Sequence, residues 1–298
     1  MIQISFPFNY GEISKFENLN FFKRNSNIIK EVYTVPFFLC DYEDALTDFD
    51  YNIDCKKALK ILNEINSYGI DINLTFNNLD YQYNISDEKL LKYSYMVKSL
   101  TVPNKSWLKY KSDFIIKNTV INLPTFEQVK NGEYDDYDII NIHADIIHNH
   151  DLWKSIKGSR KFACVSNFYM CMTDCPIKDK HYKLARHNLT LKEQNFCPAE
   201  KMDWDEVLLK RCRIPSLKKE YEYYSDVIDI FKLEGRNSNT TFKEACEIVN
   251  ILNGKEKFVE EEKYVYMKIG SNLCKYFNKI HNCSGECKKC NFCTKILK

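Results

Sequence analysis

The sequence predicts an α/β fold, a TIM-like (β/α)8 barrel that is whole or lacks an element, followed by a short cysteine-rich tail. Three observations predict it. Short apolar, β-branched runs alternate with amphipathic helical stretches, and the alternation repeats roughly eight times. Several of these runs are continuously apolar, as strands buried on both faces of a parallel sheet tend to be. From Cys283 the chain changes character to CSGECKKCNFCTKILK, which is basic and dense in thiols. A doubly wound open sheet satisfies the first two observations as well and stands as the alternative.

Taken in order, the expected strands are Ile2–Phe8, Glu31–Phe38, Ile70–Phe76, Lys98–Val102, Asp113–Lys117, Tyr137–Ile142, Lys161–Ser166, Arg211–Ile214 and Val227–Leu233. Between the second and third, Ala58, Ile61, Leu62 and Ile65 stand at i, i+3, i+4 and i+7, one face of a helix that Gly69 can end. Ser86 is a suitable N-cap for the next helix. Near the end, Phe242, Ala245, Cys246 and Val249 repeat the helical spacing ahead of Gly254. The reading divides the chain into a barrel over 1–275 and a metal-binding tail over 276–298.

Composition narrows the class. Over 298 residues the chain is 44% hydrophobic and 28% charged with a net charge of +2, so neither a nucleic-acid nor a membrane partner is demanded. The N-terminus lacks a basic start followed by an apolar core, and no apolar run approaches the ~18 residues of a membrane span. The expectation is a cytoplasmic protein. Thirteen cysteines without an export signal favour metal binding or catalysis over disulfides.

The cysteines cluster. Cys283, Cys287, Cys290 and Cys293 fall within eleven residues, close enough to converge on one centre from a tight loop. Thiolates are soft ligands for iron–sulfur clusters or zinc. Compact runs with two-residue gaps favour a 4Fe–4S cluster, and zinc stays open as the alternative for the tail. The first three also match the spacing of the radical S-adenosylmethionine triad. That reading fails on position, after the last expected strand, and on Lys289 standing before Cys290.

A second group, Cys171 and Cys175 with a later Cys197, follows the strand KFACVSN, and the C-terminal ends of barrel strands are where chemistry is placed. Cys40, Cys212 or a cysteine of the tail are candidates for a fourth ligand there. Cys164 and Cys246 read as small core residues, and Cys55 and Cys274 as structural. His181 and His187 are within reach as ligands or acid–base groups, although either alone is more often a surface histidine. His143, His148 and His150 have the wrong spacing for one helix face and make a poor metal site.

In FKLEGR, Lys232, Glu234 and Arg236 would stand near the barrel mouth, with Gly235 permitting a tight turn and Arg236 suited to a carboxylate or phosphate. A buried Glu–Arg pair stiffening the turn is the plainer reading. Tyr221, Tyr223 and Tyr224 with Lys218 and Lys219 suggest either an RNA-binding patch or, more simply, a solvated helix face.

The run VSNFYMCMTDCP, then His181, Cys197 and IDIFKLEGR, resembles the collagenase-like peptidases, family 32 of the unclassified peptidases (U32). The likeness is to a divergent branch with a C-terminal cysteine knuckle. It spans about Lys161 to Arg236 plus the tail, and the first 150 residues share only the strand–helix rhythm. The resemblance implies a TIM-like barrel and one or two 4Fe–4S clusters. It implies Cys171, Cys175 and Cys197 as ligands, and catalytic roles for His181, Glu234 and Arg236. It also implies oxygen-independent, hydroxylation-type modification of an RNA base, a small molecule or a peptide, with a protein partner as one mode of action. A non-catalytic iron–sulfur or zinc-bound scaffold is the alternative. A peptidase is disfavoured because no H-E-x-x-H is present. Where the branch carries Asn-Glu-Gly before its first cysteine, this chain has Asn167, Phe168, Tyr169 and Met170, so an acid–base role of that Glu is absent.

Overall fold

The computed structural model describes residues 2–15, 19–39, 53–77, 85–144, 149–172, 175, 177–178, 180, 202–236, 238–255, 258–283 and 285–298. The side chains of 168–172, 211, 261 and 288 are outside that description.

The strands are β1 Ile4–Pro7, β2 Ile29–Thr34, β3 Asp71–Thr75, β4 Val97–Val102, β5 Ile115–Asn118, β6 Ile140–Ile142, β7 Phe162–Val165, β8 Asn167–Met172, β9 Arg211–Arg213 and β10 Ile230–Lys232. Eight of them form one parallel sheet in the order β5-β4-β3-β2-β1-β10-β7-β6. A parallel bridge between Lys117 and Ile139 joins the two ends, so the sheet nearly closes on itself as a TIM-like barrel. At this seam side chains replace part of the ladder. Asn118 donates to the Asn141 carbonyl at 3.0 Å, and the Asn141 N–H donates to Asn118 Oδ1 at 2.7 Å. The Ile116 N–H donates to Asp138 Oδ2 at 2.8 Å. Buried backbone groups that lack a full strand partner are thereby satisfied. The open-sheet alternative is excluded.

The outward faces of the strands make the main core. Phe6, Val32, Ile72, Leu74, Leu100, Ile116, Ile142, Phe162 and Phe231 are buried in one cluster with Ala58, Leu62 and Ile65 of helix Cys55–Ser67 and with Phe242, Ala245 and Val249 of helix Asn239–Leu252. Each large side chain buried this way is worth about 1.5–3 kcal/mol. The caps follow the sequence. Asp54 Oδ1 accepts from the Lys56 and Lys57 N–H groups at 3.1 and 3.0 Å, and Ser86 Oγ from Lys89 N–H at 3.2 Å.

One expected barrel strand is not in the barrel. Arg211–Ile214 supplies β9, which runs antiparallel to β8, with Asn167 opposite Arg213 and Met172 opposite Arg211. The pair is an excursion between β7 and β10, and β10 alone completes the cylinder. Buried ion pairs tie it down. Arg213 spans Glu244 at 2.6 Å and Glu262 at 2.5 Å, on two different helices, and is 5% exposed.

A second apolar cluster lies apart from the first. Leu208 and Leu209 of helix Trp204–Lys210, Val265, Tyr266 and Ile269 of helix Glu260–Ile269, and Tyr276, Phe277 and Ile280 of helix Leu273–His281 form it. Phe292, Cys293, Ile296 and Leu297 of the tail pack against it.

Candidate functional site

Inside the barrel, side chains alternate with the outward apolar set. Toward the strands' N-terminal ends the interior is plugged by Ile139, Ala163 and Ile230. Two residues further along β10 comes Lys232, and the interior above the plug turns polar. Glu31, Asn73, Thr75, Ser99, Thr101 and Lys117 are all buried there.

They form one network. Lys117 Nζ grips both oxygens of Glu31 at 2.6 and 2.5 Å. Ser99 Oγ donates to Glu31 Oε2 at 3.0 Å and accepts from Asn73 Nδ2 at 2.8 Å. Asn73 Oδ1 in turn accepts from Thr75 and Thr101, each at 3.1 Å. Burial would raise the Glu31 carboxyl, but the Lys117 charge and hydrogen bonds overcome it and hold it below its ordinary value. The charged pair is at the centre of a packed barrel, where an unpartnered charge would be very unfavourable.

Lys232 has no such partner. Its ammonium position is 4.1 Å from the centre of the Tyr33 ring, and Glu31 is already held by Lys117. Among the described residues no carboxylate or carbonyl oxygen accepts from Lys232. Burial lowers its pKa most; the nearby Glu31 pulls the other way, and Arg236 and Lys117 lower it further, to about 7. Tyr33 is fixed against it by donating its hydroxyl to the Leu233 carbonyl at 2.7 Å.

The turn after β10 is pinned as the sequence suggested. Gly235 has φ +144°, and a Cβ there would fall 2.8 Å from Phe242 Cα and 3.0 Å from Pro7 Cγ. Asn9 donates to the Gly235 carbonyl at 3.0 Å. The Glu234 N–H donates to Asn167 Oδ1 at 2.6 Å. Glu234 and Arg236 are therefore held at the mouth by backbone bonds to β8 and to the turn after β1, and both remain partly exposed. Asn167, met in the sequence only as a remnant of a motif, is the buried clamp of this loop.

Of the thiols expected at the strand ends, the backbone of Cys171 lies in β8, its side chain outside the described residues, and Cys175 is half-buried. Cys197, His181, His187, His148 and Cys40 also lie outside the described residues. The β8–β9 ladder brings the backbone carrying Cys171 alongside that carrying Cys212, whose side chain is buried in the main core. Cys164 is buried as expected, while Cys55 and Cys274 are exposed rather than structural.

The tail cysteines come together. Cys283, Cys287, Cys290 and Cys293 line a single cavity of about 30 Å³ with Leu209, Ile280, Phe292, Lys210 and Lys279. None is in a disulfide. The Gly285 N–H donates to Cys283 Sγ at 3.4 Å. Burial, with the other three thiols adding to it, pushes Cys293 up to about 12. A cation would remove that penalty by binding the thiolates, and Lys210 and Lys279 would offset the negative charge of four of them. The donor set therefore fits a thiolate metal centre. Among the described residues no three His, Cys, Asp or Glu side chains already stand in ligand geometry. The four thiols share a cavity without being drawn onto one point.

One further expectation changes in part. Tyr221 and Tyr224 are fully buried in the main core, and Tyr223 stacks between His150 at 4.5 Å and His281 at 4.2 Å, while Lys218, Lys219 and Glu222 of the same helix are exposed, so the lysines lie on a solvated face and the tyrosines do not share it. His150 is buried with Nε2 2.6 Å from Asp226, a packing role. Glu31 and Lys117 were missed as site residues. The available signal was a charge at an inward position of each otherwise apolar strand.

No family model matches the chain, and no curated protein matches its sequence. Among solved structures it is similar to a U32 peptidase, Mk0906, with a TM-score of 0.47 and 11% identity, covering 79% of this chain and 93% of that one. Among the described residues no helix is long and apolar enough to cross a membrane.

Proposed function

We propose that this chain is a barrel enzyme with a thiolate-bound metal centre in its tail, acting in oxygen-independent, hydroxylation-type modification of an RNA base, a small molecule or a peptide. The observation that carries the metal half is the convergence of Cys283, Cys287, Cys290 and Cys293 on one cavity. The reaction type rests on the resemblance of VSNFYMCMTDCP and FKLEGR to the U32 branch, and the polar barrel mouth gives it a place. A 4Fe–4S cluster would supply electron transfer; zinc would supply folding energy alone. In this reading Arg236 orients an anionic part of the substrate, and Glu234 handles a proton at the mouth. A second 4Fe–4S cluster, on Cys171, Cys175 and Cys197 with His181 nearby, belongs to the same proposal.

The same four thiols suit a single zinc ion, so a zinc clamp with a scaffold role is the competing view. Metal and sulfide analysis after anaerobic purification, with the visible spectrum, separates the two. Iron and sulfide that persist in a Cys290→Ser/Cys293→Ser variant would locate a cluster in the barrel. Zinc alone, lost in that variant, would sink the redox reading. Absence of any metal from the wild type would overturn the proposal.

A further inference from the structure

We propose that Lys232 is a nucleophilic amine that condenses with the carbonyl carbon of a small anionic carbonyl compound, such as a 2-oxo acid, at the mouth of the barrel.

Position is the first support. Lys232 ends β10 on the interior face, two residues above the apolar plug at Ile230, at the end of the barrel where strand termini and their loops can meet a substrate. The residue keeps partial exposure.

Charge arithmetic is the second support. Among the described residues the interior holds two lysines and one glutamate at close quarters. Glu31 is engaged through both oxygens by Lys117, and Ser99 takes a further hydrogen bond to it. Among the described residues a second ammonium would be left with the face of Tyr33, at 4.1 Å, and would be repelled by Lys117 and by Arg236. Shedding the proton relieves this most cheaply, and a neutral amine is the form that attacks a carbonyl. A lysine there for structure alone would be expected to carry its own acceptor.

The substrate class follows from the mouth: Arg236 stands partly exposed there, and its guanidinium is a planar fork suited to a carboxylate. The reaction balances without a cofactor. The Lys232 nitrogen forms a bond to the carbonyl carbon, its two hydrogens leave with the carbonyl oxygen as water, and a C=N bond remains. The inference is independent of any metal in the tail.

The test uses the full chain with glyoxylate and cyanoborohydride at neutral pH, followed by peptide mapping. Hydride from the reagent reduces the imine, so each condensed lysine gains one carboxymethyl group. The expected result is labelling of Lys232 roughly tenfold or more faster than the average exposed lysine, because those stay protonated. Lys232→Arg should abolish the fast-labelled site, and Arg236→Met should slow labelling by glyoxylate more than labelling by neutral formaldehyde. Lys232→Met, which keeps an apolar stem over Tyr33, replaces the Arg variant if that one fails to fold. Labelling at Lys232 no faster than at surface lysines would overturn the proposal, as would a fast site that survives either substitution.

Discussion

Replacing Glu31 by Gln is the sharpest perturbation of the barrel interior. Glu31 is 5% exposed and Lys117 2% exposed, with contacts of 2.6 and 2.5 Å. Removing the carboxylate leaves Lys117 buried beside Lys232 with no anion between them. Breaking a buried pair in this way costs about 3–5 kcal/mol. Lys117→Met leaves a different remainder. Glu31 then faces Lys232, across β1, where Ser5 is in register with both. That amine can take up the vacated role, so the cost falls to about 1–2 kcal/mol, near that of a hydrogen-bond rearrangement. Equilibrium urea unfolding followed by circular dichroism measures both. The pH dependence carries a sign. The Glu31 carboxyl is held below its ordinary value of 4.5 in the folded state. Its stabilisation is therefore complete above that value and is lost as pH falls through the folded value, so wild type and Glu31→Gln converge in acid. Equal losses in the two variants, or a Glu31→Gln loss under about 1 kcal/mol, would refute the argument that Lys232 is the unmatched charge.

Three more outcomes follow from the same geometry. Gly235→Ala forces a Cβ to 2.8 Å from Phe242 Cα at φ +144° and should lower stability by about 2–4 kcal/mol, read as a drop in urea midpoint. Lys232→Met should raise the melting temperature most below about pH 7. The folded amine titrates near 7 against 10.5 when unfolded, so the wild type bears the whole burial cost there and recovers it as pH rises toward 10.5, where the two should approach each other. A chain ending at Asn282 would strip Phe292, Ile296 and Leu297 from Leu209 and Tyr276. It should bind a hydrophobic dye and melt earlier, whereas Cys290→Ser in metal-free protein should do neither.

The barrel was legible because its outer face obeys the rules of parallel strands. Phe6, Val32, Leu100 and Phe231 sit in runs whose apolar character is visible in one dimension, and Ala58, Leu62 and Ile65 announce their helix by spacing alone. Gly235 and Ser86 were also readable, since a left-handed φ or an N-cap is a local demand. Arg211–Ile214 was misplaced because a strand run carries no mark of its partner; β9 pairs antiparallel with β8, and only the ladder reveals that. The tyrosines of helix Lys218–Tyr224 were misjudged for a like reason: they interleave with the exposed Lys218, Lys219 and Glu222, and only the packing shows that Tyr221 and Tyr224 face the core.

By itself the sequence determined the alternation of strands and helices, the turn at Gly235 and the thiol spacing of the tail, all set by contacts between near neighbours. It took the folded barrel to bring Glu31, Lys117 and Lys232, far apart in the chain, together inside one cylinder, where among the described residues one anion meets two cations. Closing a sheet into a barrel brings alternate residues of distant strands onto a common axis, and no one-dimensional pattern records which charges will face each other there.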